Sequence, residues 1–302
     1  MRSSLDLRPV AVLATLLLTL PAMADTHRHG PGCLDPNHDE GGEGSEGKAR
    51  KADGKGLPLE PAGSLPLQLR EGSWMSVDVS PDGATVAFDL LGDIWTVPLS
   101  GGHAERLTKG LPFDGQPRFS PDGTTLVFVS DRSGEENLWV LTLGEEEAEQ
   151  VTKGESGGYQ SPEWTPDGKY LIASRGGLIG PVAKPWLFHA DGGSGIKLVK
   201  EPKDLRLTGA AFGDDERQVW FARRTGRWNY NAQFPQYQLV VYDRDLGTLS
   251  AKSSRFGSAF RPTLSPDGRL LVYGTRHDES TGLRLRELDS GDERWLAWPV
   301  QH

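Results

Sequence analysis

A four-residue motif, Ser/Thr-Pro-Asp-Gly, recurs along the chain and constrains its fold more than any other feature. Copies begin at Ser80, Ser120, Thr165 and Ser265. Proline presets the φ angle of the second turn position, the hydroxyl and carboxylate accept local backbone hydrogen bonds, and glycine takes the left-handed position. Apolar and β-branched residues of strand length follow, as in Thr124–Ser130. Each copy is therefore typical of a β-hairpin.

The spacing of the copies indicates how the hairpins assemble. With a degenerate copy at Gly213–Glu216, successive turns begin 40, 45, 48 and 52 residues apart. A large apolar residue precedes every turn: Val79, Phe119, Trp164, Phe212 and Leu264. A period of about 40–50 residues is typical of four-stranded propeller blades. The sequence therefore predicts an all-β fold, a β-propeller of four-stranded antiparallel blades.

Five turns predict five blades, and the number leaves the closure of the ring open. The blades are expected near residues 74–107, 113–152, 159–199, 208–252 and 259–296. Propellers usually have four to eight blades, and an unclosed sheet set leaves its edges exposed. Either five blades close the ring, with help from the alternating segment Leu65–Arg70, or the chain is a fragment holding part of a six- to eight-bladed ring. The second interpretation is preferred.

Tryptophans recur at equivalent strand positions in the repeat. Trp95, Trp139, Trp164 and Trp220 each fall inside a predicted strand. Burying an aromatic ring of this size stabilises a fold by about 2–3 kcal/mol. We expect all four to belong to the core.

The first residues have the pattern of a secretory signal peptide. Arg2 and Arg8 accompany an apolar run, Val10–Leu20, that ends in Pro21–Ala24. A basic start, a short apolar core and a small-residue exit predict cleavage after Ala24. The run is shorter than the roughly 20 residues that a spanning helix needs. Residues 1–24 therefore predict a periplasmic or secreted protein with no transmembrane span.

Residues 25–62 differ in composition from everything that follows. Glycine, acidic residues, lysine, proline and histidine dominate, so the segment cannot bury enough apolar surface to offset its ordering entropy. We expect a disordered linker, with the propeller occupying residues 63–302. The linker holds possible zinc or copper ligands: His27, His29, Cys33 and His38. Incidental histidines in a solvated tail are the preferred interpretation, so no metal or cofactor is expected.

Charge and motif content argue against several classes of function. The formal net charge is −9 with no basic stripe, which excludes a nucleic-acid partner. Gly154–Gly158 matches Gly-x-Ser-x-Gly, but a nucleophile elbow needs a helix after the serine, and here an inter-blade loop is predicted. Asp131-Arg132 is expected to form inter-blade hydrogen bonds. No catalytic residue is assigned, and the chain is predicted not to be an enzyme by itself.

Long loops should carry the binding function. Loops opposite the Ser-Pro-Asp-Gly turns are longer and more varied, and the longest predicted one is Arg223–Gln236. Tryptophan, tyrosine and arginine are enriched at binding hot spots. The predicted contact residues are Arg224, Arg227, Trp228, Tyr230, Phe234 and Tyr237. The alternative is that these aromatics fold back over the propeller or cover a neighbouring domain. A second insertion, Gly176–Pro185, is expected to border the same surface.

The repeats resemble a known family. Together with Val129–Gly134 and Asn137–Val140, the turns resemble TolB-like, WD40-like propeller repeats over residues 74–296. Trp74–Gly83 followed by Phe88–Trp95 is similar to the amino-terminal propeller of exported bacterial amidohydrolases. In that family a metal-dependent barrel follows the propeller, and this chain lacks it, so the resemblance transfers no metal ligand.

Two functional hypotheses follow. The first is a non-catalytic exported propeller that binds a protein or peptide, or docks a downstream catalytic domain. The second is the amino-terminal propeller of a metal-dependent amidohydrolase whose catalytic barrel lies outside this sequence.

Overall fold

In the part of the chain that the structure describes, five four-stranded antiparallel sheets are present, each from four consecutive strands. The computed structural model describes residues 66–73, 75–154, 158–176, 183–200, 202–213, 215–225, 236–277 and 280–298, and those residues contain no helix. Blade one consists of β1 Val77–Val79, β2 Thr85–Leu90, β3 Asp93–Pro98 and β4 Glu105–Arg106. Blade two consists of β5 Asp114–Phe119, β6 Thr125–Ser130, β7 Asn137–Thr142 and β8 Glu149–Gln150.

The remaining blades repeat this order. Blade three consists of β9 Tyr159–Trp164, β10 Tyr170–Arg175, β11 Lys184–His189 and β12 Ile196–Lys197. Blade four consists of β13 Leu207–Ala211, β14 Gln218–Thr225, β15 Gln236–Asp243 and β16 Thr248–Ala251. Blade five consists of β17 Phe260–Leu264, β18 Leu270–His277, β19 Ser280–Glu287 and β20 Glu293–Ala297. The prediction of a β-propeller is confirmed.

Each Ser-Pro-Asp-Gly turn is held by its own side chains. In blade two the Ser120 hydroxyl donates to Asp122 Oδ1 at 2.6 Å and accepts from the Thr125 N–H at 3.0 Å. Gly123 occupies the left-handed region with φ of 73°. The Ser120 hydroxyl, followed by the Thr124 N–H, lowers the pKa of the Asp122 carboxyl. Because these contacts are local, the turn sets the register of its hairpin.

The core lies between successive blades, where apolar side chains from both sheets meet. Ala87 and Ile94 of blade one pack with Leu126 and Phe128 of blade two, and all four are fully buried. Similar clusters join blades two and three, three and four, and four and five. The two faces of each inner blade therefore contribute to two separate clusters.

Two of the four tryptophans predicted to belong to the core are buried. Trp164 and Trp220 are 7% and 6% exposed, in agreement with the prediction. Trp95 and Trp139 are only partly buried, since each lies on a third strand nearer the rim of the propeller. Their indole rings are instead covered by arginine: Arg106 over Trp95 and Arg132 over Trp139.

The ring has an open side within the described residues. Inner strands contact in the order β1, β5, β9, β13 and β17, and no described strand of blade five contacts one of blade one. On the free face of blade one, Val86 and Phe88 are partly exposed, whereas their equivalents Leu126 and Phe128 are 0% exposed. Residues 66–70, expected as a possible additional strand, form none.

Asp131 and Arg132 act within one blade, so the expectation of inter-blade hydrogen bonds is wrong for them. Asp131 Oδ1 accepts from the Phe113 N–H at 2.7 Å, and Arg132 Nη2 lies 2.7 Å from Asp114 Oδ2. The reason is topological: β6 ends beside the start of β5, its antiparallel partner.

Replacing Phe128 by alanine tests the inter-blade core. Phe128 is 0% exposed, and Phe256, at 91% exposed, offers a matched control on the same chain. We expect Phe128→Ala to lower the free energy of unfolding by about 3–5 kcal/mol and Phe256→Ala by less than about 0.5 kcal/mol. Urea unfolding followed by tryptophan fluorescence measures both. Equal losses for the two variants would contradict this assignment of the core.

Candidate functional site

The inner strands of all five blades line a central cavity of about 200 Å³. The residues four and two places before each turn both line this cavity. Residues four before the turn form what we call the outer ring: Ser76, Gln116, Ser161, Gly209 and Arg261. Residues two before the turn form the inner ring: Asp78, Arg118, Glu163, Ala211 and Thr263. The outer ring lies nearer the ends of the strands that the inter-blade connections enter.

A β-bulge recurs at the outer ring in blades two to five. The register shifts within β5, β9, β13 and β17 at this position. The φ angles are 59° at Gln116, 53° at Ser161, 67° at Gly209 and 50° at Arg261. A residue other than glycine pays about 1–3 kcal/mol for such a conformation, and strain of this kind concentrates at functional sites. Bulges also re-aim side chains. The repeated strain therefore marks the cavity as the candidate site.

Hydrogen bonds along the cavity wall join the first three blades. Asp89, at the end of β2, accepts from the Ser76 N–H at 2.8 Å and from the Gln116 N–H at 2.7 Å. Gln116 Oε1 accepts from the Ser161 N–H at 2.6 Å. Asp78 Oδ2 accepts from the Phe119 N–H at 2.8 Å. These bonds fix the backbone of the outer ring across blade boundaries, together with the Gln116 side-chain amide.

The inner ring contains a carboxylate that titrates near neutral pH. Burial raises the pKa of Glu163 to about 7; the Arg118 guanidinium opposes this rise and the Asp78 carboxylate adds to it. Arg118 Nε lies 3.4 Å from Glu163 Oε2. Burial likewise raises the pKa of Asp78, against the opposing effect of Arg118. Arg118 is thus shared between two enclosed acids.

Arg261 completes the charged lining from blade five. Its guanidinium makes no hydrogen bond or ion pair with any residue in the described part of the chain. Enclosure by the cavity, together with Arg118, lowers the pKa of Arg261, and Asp89 opposes this effect. The side chain keeps contact with solvent, so it is accessible to a ligand.

An exposed apolar patch borders the outer ring. Leu91, Leu111 and Phe113, which we call the apolar rim, are 73%, 64% and 68% exposed. A Cβ atom at Gly92 would lie 3.1 Å from the Phe113 ring, so that ring packs against the β2–β3 turn. Gly115 lies between the Phe113 ring and the Asp89 carboxylate. The rim is therefore adjacent to the hydrogen bonds of the cavity wall.

Leu91 has no role in folding that explains its identity. It sits at φ of 55° in the turn between β2 and β3, with its side chain in solvent. Glycine, asparagine and aspartate are favoured at such turn positions, because glycine has no Cβ atom and the short polar side chains of the other two form local hydrogen bonds. A strained and exposed leucine is typical of a contact surface.

Only two of the six predicted contact residues lie within the residues that the structure describes. Arg224 and Tyr237 are cross-strand partners on β14 and β15, both partly buried, and the Tyr237 N–H donates to Ser258 Oγ at 3.1 Å. The others, Arg227, Trp228, Tyr230 and Phe234, lie outside the described residues, as do His27, His29, Cys33 and His38. The loop surface and the linker ligands stay predictions.

Sequence reasoning missed the cavity and the rim. One signal was present: four of the five residues at the position four before the turn are polar or charged, although that position lies inside a strand. Within the described ranges, no group of three or more His, Cys, Asp or Glu side chains is arranged to hold a metal ion. The same residues contain no helix long and apolar enough to cross a membrane.

The chain matches one protein family, and two of its curated relatives have protease or peptidase names. The family described as Tricorn protease N-terminal beta propeller domain matches residues 72–238, more than half of the chain. Tricorn protease homolog 1 from Streptomyces coelicolor is 36% identical over 124 residues, covering 40% of this chain and 12% of that protein. The uncharacterized peptidase YuxL from Bacillus subtilis is 26% identical over 213 residues, covering 67% of this chain and 29% of that protein.

A solved structure supports the fold. The protein designated TolB from Agrobacterium tumefaciens aligns with a TM-score of 0.61 at 20% identity, covering 74% of this chain and 80% of the other. At this identity the likeness shows the fold alone. The TolB-like resemblance of the repeats is thereby confirmed.

The raised pKa of Glu163 predicts a pH-dependent stability. Its pKa is about 7 in the folded chain against an ordinary value of 4.5, so the folded state holds a proton that the unfolded state has lost. Stability should therefore fall as pH rises from about 4.5 through 7. We expect Glu163→Gln to gain about 2 kcal/mol relative to the native chain across this interval.

Urea unfolding at a series of pH values measures this difference. The exposed Glu146→Gln substitution provides a charge-matched control. If the difference in unfolding free energy between the native chain and Glu163→Gln stays constant from pH 4 to 8, folding does not raise the pKa of Glu163.

Proposed function

The chain belongs to the family of tricorn protease N-terminal β-propeller domains, and from this premise we propose that it is a non-catalytic module that binds polypeptide segments beside its central cavity. One observation carries the proposal: a strained, exposed apolar rim lies next to a polar cavity whose strands are also strained. Strain of this kind is found most often at functional sites, and here it surrounds both the cavity and the apolar rim.

A peptide matches the chemistry of this surface. The rim offers Leu91, Leu111 and Phe113 to apolar side chains, and the outer ring offers hydrogen-bonding groups to amides or charged groups. Binding sites combine apolar contact with a few placed polar groups in this way. A folded partner with a flat polar surface would leave the enclosed groups of the cavity unused.

The relatives support a place for this module within a larger hydrolytic protein. Two of the matched curated relatives carry protease or peptidase names, and the alignments span only 12% and 29% of their lengths. A propeller that binds peptides beside a separate catalytic domain fits that arrangement. Neither name supports the alternative of a metal-dependent amidohydrolase parent, so a peptidase-type parent is the form of the docking hypothesis that we propose.

We also propose that the protein is exported. The basic and apolar pattern of residues 1–24 is typical of a signal peptide, and it would place the module in the periplasm or outside the cell. There it would meet protein or peptide ligands, in agreement with an acidic protein that lacks a basic stripe.

Replacing Leu91 by asparagine tests the rim. Asparagine tolerates the left-handed conformation at this position, so we expect Leu91→Asn to raise the free energy of unfolding by about 0.5–1 kcal/mol. The same change should weaken binding of N-acetyl-(Ser-Leu)4-amide about tenfold, because an apolar anchor is lost. Isothermal titration calorimetry measures the affinity, and urea unfolding measures the stability.

Leu246→Asn is the control, because Leu246 is 72% exposed on the β15–β16 turn at the opposite face. A peptide of the composition N-acetyl-(Ser-Gln)4-amide controls for backbone contacts. If the native chain does not bind the leucine peptide, or if Leu91→Asn binds it as tightly, the proposed function is wrong.

A further inference from the structure

We infer that the outer ring binds a carboxylate group, which Arg261 holds with Gln116 and Ser161 as neighbouring donors. The inference deepens the proposed function and rests on it where the carboxylate belongs to a peptide. A small organic acid presents the same chemistry. Both sources would place one negatively charged group in the same position, and the experiment below separates them.

Arg261 supplies the charge that such a group needs. A guanidinium has five N–H donors in a planar fork that matches a carboxylate. In this chain none of them is engaged by a described residue. The residue is also held at φ of 50°, directly before Pro262, so its side chain is aimed by a strained backbone. Arg261 is exposed to solvent where it lines the cavity, so an arriving carboxylate can form a charge-assisted, bidentate pair with its guanidinium.

Gln116 and Ser161 add uncharged donors. Gln116 Oε1 accepts the Ser161 N–H at 2.6 Å, which fixes the amide so that its Nε2 group is the remaining donor. Neither that Nε2 group nor the Ser161 hydroxyl has a hydrogen bond to a residue that the structure describes. The three donors therefore share one ring and one repeat position.

Gly209 leaves room for the ligand between two of these donors. It occupies the outer-ring position of blade four, between Ser161 of blade three and Arg261 of blade five. A Cβ atom added there would lie 3.8 Å from Arg261 Cα, an ordinary van der Waals distance, and the φ of 67° favours glycine at this position. Because glycine has no side chain, the outer-ring position between Ser161 and Arg261 is unfilled.

The acidic residues of the cavity already have partners, although burial raises the pKa of Asp78, Asp89 and Glu163. Asp89 accepts two backbone N–H groups, and Asp78 accepts one. Glu163 lies in the inner ring against Arg118, two residues further along its strand than Ser161. The uncommitted groups of the outer ring are donors, which favours an anionic ligand over an ammonium group.

Calorimetry on the full chain with four probes tests the inference. The probes are N-acetyl-(Ser-Leu)4 as the free acid, the same peptide as its amide, the amide with one internal serine replaced by glutamate, and sodium acetate. A charge-assisted bidentate pair should favour the free acid over the amide at least about tenfold. Preference for the glutamate peptide instead would identify a side-chain carboxylate as the source.

Variants assign the preference to Arg261. In Arg261→Gln the acid and amide peptides should bind equally, and Arg261→Lys should retain part of the preference. Arg269→Gln removes the same charge from an exposed position at the other face, where Arg269 lies 3.8 Å from Asp289. Thermal unfolding of each variant shows that the fold is kept.

The outcomes separate the two proposals. Equal binding of acid and amide peptides by the native chain, or a preference that survives Arg261→Gln, overturns the carboxylate site while leaving peptide binding intact. Binding of acetate alone, lost in Arg261→Gln, supports a site for small organic acids and contradicts the peptide function. Binding of no probe contradicts both.

Discussion

One residue in the left-handed conformation, four places before the turn, shapes the inner strand of blades two to five. It turns the backbone so that a bulge forms, and the register between the first and second strands slips at that point. The N–H groups of Gln116 and Ser161 are thereby available to side chains of the preceding blade. Neighbouring blades are consequently joined by specific polar contacts at the axis as well as by apolar packing further out.

This constraint links stability to binding. The left-handed conformation is unfavourable for the non-glycine residues Gln116, Ser161 and Arg261, and Leu91 adopts it as well in the β2–β3 turn. The fold tolerates these costs because the blade clusters bury many large side chains completely. Strained positions surround the cavity and the rim, whereas the Ser-Pro-Asp-Gly turns place glycine where φ is positive. The strain is thus concentrated at the end of the molecule where we propose that a ligand binds.

The sequence predicted whatever depends on local chemistry. Each Ser-Pro-Asp-Gly turn specifies its own hairpin, because Ser120, Asp122 and Thr125 satisfy one another within six residues. Burial of Trp164 was predictable from its position directly before a turn. The partial exposure of Trp95 and Trp139 was not, since it depends on how far a third strand lies from the axis.

The candidate site could not be predicted by the same route. The bulge recurs in four inner strands, and no single residue type marks it, because Gln116, Ser161, Gly209 and Arg261 share neither size nor charge. Only their repeat position, four before the turn, unites them. The 223–236 loop was predicted as a binding surface from its aromatic and arginine content, and such content is a statistical signal. The cavity is recognised from backbone angles and hydrogen bonds instead.

Amide hydrogen exchange at Gln116 and Ser161 tests the central claim most directly. Both N–H groups donate to side-chain oxygens, Asp89 Oδ2 and Gln116 Oε1, across a blade boundary. The account predicts that these amides exchange as slowly as that of Val127, which lies in a fully buried strand. Exchange as fast as in the exposed hairpin turns would contradict it, because the blades would then not be joined at the cavity wall.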